Sequence, residues 1–117
     1  MKHIELLRDQ LGNRHYFRKA KSRRGDHFFD FAVGKVQTYR SKYGDDFLCV
    51  VYASDNDVHP LPYRVLTPVF RKEFIDKGRN RWFGTITHGV LHVRGGAPPL
   101  NVRQYHRTSE FFDLLDR

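Results

Sequence analysis

Apolar and polar positions alternate along 28–40. Phe29, Phe31 and Val33 fall on one side and Asp30 and Ala32 on the other, a period of two that predicts extended chain with a bulge or bend at Gly34. The stretch 47–53, Phe-Leu-Cys-Val-Val-Tyr-Ala, is apolar on both faces, as a central strand buried on both sides should be. The clearest hairpin comes later: 81–87 and 90–94 read as two strands joined by His88-Gly89, where glycine tolerates positive φ. Residues 63–66 and 101–105 read as further strands, 14–20 as a strand or a continuation of the first helix, and 54–62 as a polar loop ending in His59-Pro60-Leu61-Pro62.

Helical spacing occurs in three places. Ile4, Leu7 and Leu11 share one face of 3–11, which Gly12-Asn13 terminates. Thr67-Pro68 supplies a hydroxyl cap followed by a first-turn proline; Phe70 and Phe74 lie one turn apart, and Gly78 closes the segment. Thr108 or Ser109 caps a last helix carrying Phe111, Phe112, Leu114 and Leu115. This order predicts an α+β fold: a curved antiparallel or mixed β-sheet, open or partly closed as a pseudo-barrel, flanked by about three short helices. No βαβ alternation with a Gly-rich phosphate loop is present, which argues against a doubly wound nucleotide-binding fold. With 117 residues, no repeat and no composition break, 1–117 reads as a single domain.

Charge narrows the function. Lys and Arg number 21 against 13 Asp and Glu, a net charge of +8, and the excess is uneven. Arg14, Arg18, Lys19, Lys21, Arg23 and Arg24 fall within 14–24 with no acid among them. Arg71, Lys72, Lys77, Arg79 and Arg81 form a second stretch, and Arg94, Arg103 and Arg107 a looser third. Arg exceeds Lys, and its planar fork grips phosphate or a guanine edge. Aromatic residues are interleaved with these runs, the combination that nucleic-acid binding requires. Arg14, Arg18, Lys19, Lys21, Arg23, Arg24, Arg79 and Arg81 are therefore expected on the phosphate backbone. Tyr39, Tyr43, His59, Pro60, Pro62, Tyr63, Trp82 and Tyr105 are the candidates for base or pocket contacts, with the prolines stiffening the 57–63 loop into an aromatic-walled pocket.

Catalytic readings fare less well. His88 and His92 are four apart but span a turn, without the Glu of a helical zinc-protease motif, and His15, His27, His59 and His106 are isolated in sequence. They read as surface or hydrogen-bonded histidines, so neither a metal nor a cofactor is expected. A Mg²⁺ nuclease would draw on Asp45, Asp46, Asp55 or Asp57, but the acid-to-lysine spacings are poor. Cys49 lies in the most apolar segment and reads as core; as the single cysteine it excludes an internal disulfide framework.

No apolar run approaches the roughly 20 residues of a membrane span, and acids near the start argue against a signal peptide. A cytoplasmic protein is expected, nucleoid-associated if bacterial. No RNA-recognition octamer, Gly-X-X-Gly clamp or helix-turn-helix is found. The reading reached is a noncatalytic module that binds nucleic acid, DNA in preference to RNA. By analogy of class, it is the specificity or reader domain of a restriction-type or DNA-modification-linked system recognising duplex DNA, modified or not. An RNA-binding protein of translation or ribosome-associated type is the alternative, and a small Mg²⁺-dependent nuclease with a divergent site the second.

Overall fold

The computed structural model describes residues 14–54 and 56–108. The helices expected over 3–11 and 109–115 lie outside these residues, as does Asp55. The architecture is α+β with two open sheets. One sheet has three strands in the order β1-β4-β5: β1 (His15–Lys19), β4 (Leu48–Ser54) and β5 (Asp57–Pro62). The other has five in the order β2-β3-β6-β7-β8: β2 (Lys21–Arg23), β3 (Asp26–Ala32), β6 (Arg81–Thr87), β7 (Val90–Val93) and β8 (Leu100–Asn101). The three-stranded sheet is mixed, β1 running parallel to β4 and β5 antiparallel to it. All pairings in the five-stranded sheet are antiparallel.

Period-two patterning sets which side of each strand is buried. Phe29 and Phe31 of β3, Trp82 and Ile86 of β6, and Leu91 and Val93 of β7 point inward, where they join Tyr16, Cys49, Val51 and Leu61 of the other sheet in one core. Gly84 sits opposite Phe29; a Cβ there would lie 2.5 Å from Phe29 Cζ, so only glycine lets that ring cross the strand. The central β4 is buried from Cys49 to Tyr52, as its unbroken apolar run predicts. The hairpin at His88-Gly89 also forms as expected, with φ of 51° and 76° at the two turn residues.

Other expectations are corrected. The extended run ends at Ala32, and α1 (Val33–Tyr43) takes its place, because Val33, Val36, Tyr39 and Tyr43 recur at helical spacing and lay one side on the core. Residues 57–62 form β5 rather than a loop. Pro60 and Pro62, which lack a donor N–H, are accommodated because β5 is an edge strand. Tyr63–Leu66 is a single helical turn, α2, instead of a strand. The helix expected from Thr67 is absent; Lys72–Phe74 makes only a 3₁₀ turn. Residues 101–105 give the short β8 and a second 3₁₀ turn, Arg103–Tyr105. Among the described residues, no helix is long and apolar enough to cross a membrane.

Candidate functional site

Residues that pair across strands share a face, so the ladder register assigns the outer face of the five-stranded sheet. Lys21 pairs with Phe28, Phe28 with Thr85, and Thr85 with His92. One step along, Arg23 pairs with Asp26, Asp26 with Thr87, and Thr87 with Val90; on the other side, Asp30 pairs with Phe83. Phe28 is 38% exposed, the large apolar side chain that stands out on the described surface. Phe83 is half-buried, with the guanidinium carbons of Arg79 and Arg94 at 5.4 and 5.5 Å from its ring centroid. Arg18 and Arg81 grip Asp30 from two sides, at 2.7 and 2.9 Å. Asp26 accepts a hydrogen bond from Thr87 at 2.8 Å. Lys21 and Arg23 from the first basic stretch, Arg79 and Arg81 from the second and Arg94 from the third thus border one sheet face, and its acids Asp26 and Asp30 are partnered.

The expected contact residues divide. Lys19, Lys21, Arg23 and Arg24 are exposed and make no ion pair among the described residues; Arg24 sits in the β2–β3 turn at φ 54°. Arg14 pairs instead with Asp46 at 3.1 Å, away from the sheet face. The aromatic and proline candidates are dispersed over separate cavities and the core: His59 lines one cleft, Pro62 another, Tyr39 and Tyr43 a third, and others pack inward. Trp82 is 4% exposed, stacked on Phe70 at 4.7 Å, and its Nε1–H donates to the Arg71 carbonyl. Tyr63, also 4% exposed, stacks on Phe47 at 4.8 Å. Tyr39 donates its hydroxyl to the His15 carbonyl and stacks on Tyr16 and Phe47. Tyr43 lies beneath the Arg14 guanidinium and Tyr105 packs against the core. Pro60 is buried and Pro62 half-buried.

A second feature lies between the sheets, on the inner side of the same hairpin ends. A cleft of about 530 Å³ is lined by His27, Asp57, His59, His88, Arg103 and His106 together with the Gly25 and Gly89 turns. Asp57 stands at its centre. Its Oδ2 lies 2.5 Å from His27 Nε2, and its Oδ1 lies 2.8 Å from His59 Nε2 and 3.0 Å from His106 Nε2. Asp57 and His59 share a side of β5 because they are two apart on a strand. His27 comes from β3 of the other sheet, on the inner face beside Ser22, whose Oγ is 2.7 Å from His27 Nδ1. His59 is 3% exposed, and its Nδ1 is buried without a hydrogen-bond partner among the described residues. Burial pushes its pKa below the ordinary histidine value, against the pull of the Asp57 carboxylate. Neutral imidazole is the form this pocket favours.

Sequence reading took these residues one at a time: His59 as a pocket contact, Asp57 as a candidate for a Mg²⁺ site, and His27 and His106 as isolated histidines. The one legible hint was the Asp57-X-His59 spacing, visible only once 57–62 is recognised as a strand. Comparison with protein families, curated proteins and solved structures returned no match for this chain.

Proposed function

We propose that this chain is a nucleic-acid-binding module of reader type whose contact surface is the outer face of the five-stranded sheet. One observation carries the reading: exposed Phe28 lies among Lys21, Arg23 and the Arg-flanked Phe83, cations and aromatic faces together on one side of a sheet. Cations track a phosphodiester backbone, and an aromatic ring on an open sheet offers a platform on which a base can stack. A duplex keeps its bases stacked and presents only their edges, so this face suits a single strand or locally opened DNA better than the intact duplex that sequence suggested. DNA is the proposed partner; the same chemistry would accept RNA, and competition separates them.

The test is anisotropy titration of single-stranded DNA, the matching duplex and the matching RNA at fixed salt. Single-stranded DNA should bind tightest. Phe28→Ala should weaken it by about 1–3 kcal/mol with no change in salt dependence. Arg23→Ala with Arg24→Ala should flatten the log–log salt slope by roughly 1.4 and weaken all sequences alike. Absence of binding at ~50 mM salt, or indifference to both variants, would overturn the proposal.

A further inference from the structure

The cluster between the sheets carries an inference independent of nucleic acid. From its geometry we infer that His27, Asp57 and His59 form a binding site for a first-row divalent transition metal ion, of which zinc is the type. One ring nitrogen each of His27 and His59 and a carboxylate oxygen of Asp57 all lie within 4.8 Å of one another, and both Nε2 atoms touch the Asp57 carboxylate. Donors placed about 2.0–2.2 Å from a tetrahedral zinc stand roughly 3.3 Å apart, so side-chain shifts of up to about 1.5 Å convert the present contacts into a coordination shell. Two imidazoles and one carboxylate suit zinc, iron(II) or cobalt(II), and are a poor set for Mg²⁺ or Ca²⁺, which prefer oxygen.

Orienting partners are in place as well. Ser22 Oγ sits 2.7 Å from His27 Nδ1, the nitrogen facing away from Asp57. His106 Nε2, half-exposed at the cleft side, sits 3.0 Å from Asp57 Oδ1. Such contacts hold metal-binding side chains in position. The ligands come from both sheets, β3 on one side and β5 on the other, so an ion here would cross-link them. With three protein ligands, a coordination position stays open toward the cleft, where Arg103 is placed to attract an anion.

Untagged, chelator-treated protein titrated with Zn²⁺ or Co²⁺ provides the test, by calorimetry and by cobalt absorption. One ion per chain should bind, Tm should rise with Zn²⁺, and Mg²⁺ should do neither. His27→Gln and Asp57→Asn, checked for folding by circular dichroism, should each weaken zinc by about 100-fold or more, beyond the 10–100-fold expected for loss of an orienting partner. In the wild-type protein, the ring ¹⁵N resonances of His27 and His59 should move on zinc addition while those of His92, on the outer sheet face, stay fixed. That readout needs no variant to fold. Failure of the wild type to take up either ion, or uptake that leaves the His27 and His59 resonances unchanged, overturns the site.

Discussion

The two ends of β5 face two clefts of nearly equal size and opposite character. At the Pro62 end, a cleft of about 490 Å³ is lined by Arg14, Asp45, Asp46, Phe47, Leu48, Pro62 and Arg64. Its Arg14–Asp46 pair has side chains 64% and 73% exposed, and Asp45 meets Arg40 at 3.7 Å. Roughly 17 Å away along the strand, the Asp57 end packs a carboxylate against three imidazoles, one of them almost fully buried. Solvated ion pairs contribute little and are found on most protein surfaces. Titratable groups crowded together and removed from water cost stability unless they are partnered, so a fold that keeps them points to a use. Equal cavity size therefore says little; the burial and partners of the lining groups separate the two ends.

That contrast can be broken or sharpened, starting with the largest effect. Tyr63→Ala at the Pro62 end removes a ring stacked on Phe47 and should cost about 3 kcal/mol, as buried aromatic truncations do, read as a lower urea midpoint. Zinc uptake by the protein that remains folded should be unchanged. Loss of zinc binding in folded Tyr63→Ala protein would show that the two ends are coupled.

The middle of β4 gives a second test. Burial pushes the Cys49 thiol well above its ordinary value, which keeps it protonated and unreactive. A thiol reagent at neutral pH should label Cys49 only as fast as the chain unfolds, and rapid native labelling would show that the core between the clefts is open. The smallest effect is expected from Arg14→Ala. Removing its exposed pair with Asp46 should change stability by less than about 1 kcal/mol and leave nucleic-acid affinity almost untouched, although Arg14 opens the basic run. A loss of affinity comparable to that of the Arg23 and Arg24 double variant would extend the interface to the Pro62 end.

Much of the strand pattern was legible. The double-sided burial of β4 and the His88-Gly89 hairpin follow from apolar runs and turn chemistry, which act within a few residues. The helix α1 was missed because alternation from Phe29 to Val33 continues smoothly into it, and periods of two and 3.6 agree over so short a stretch. Thr67-Pro68 is a sound opening for a helix, yet it makes only one turn: Val69 and Phe70 donate backbone N–H groups to the Leu66 carbonyl, and the burial of both side chains accompanies the end of helical structure there. Trp82 and Tyr63 were candidates for base stacking because a sequence cannot tell which side of a strand or turn faces the core.

By itself the sequence determined the class of the molecule: an α+β chain, strongly basic, rich in aromatic residues, with a central apolar strand and one sharp hairpin. Those properties depend on composition and on neighbours a few positions apart. The tertiary structure alone decided which cations share a face with Phe28, and that His27, Asp57, His59 and His106 meet. The first depends on strand register and the second on the packing of one sheet against another. Both join positions separated by tens of residues, where no local pattern connects one side chain to the next.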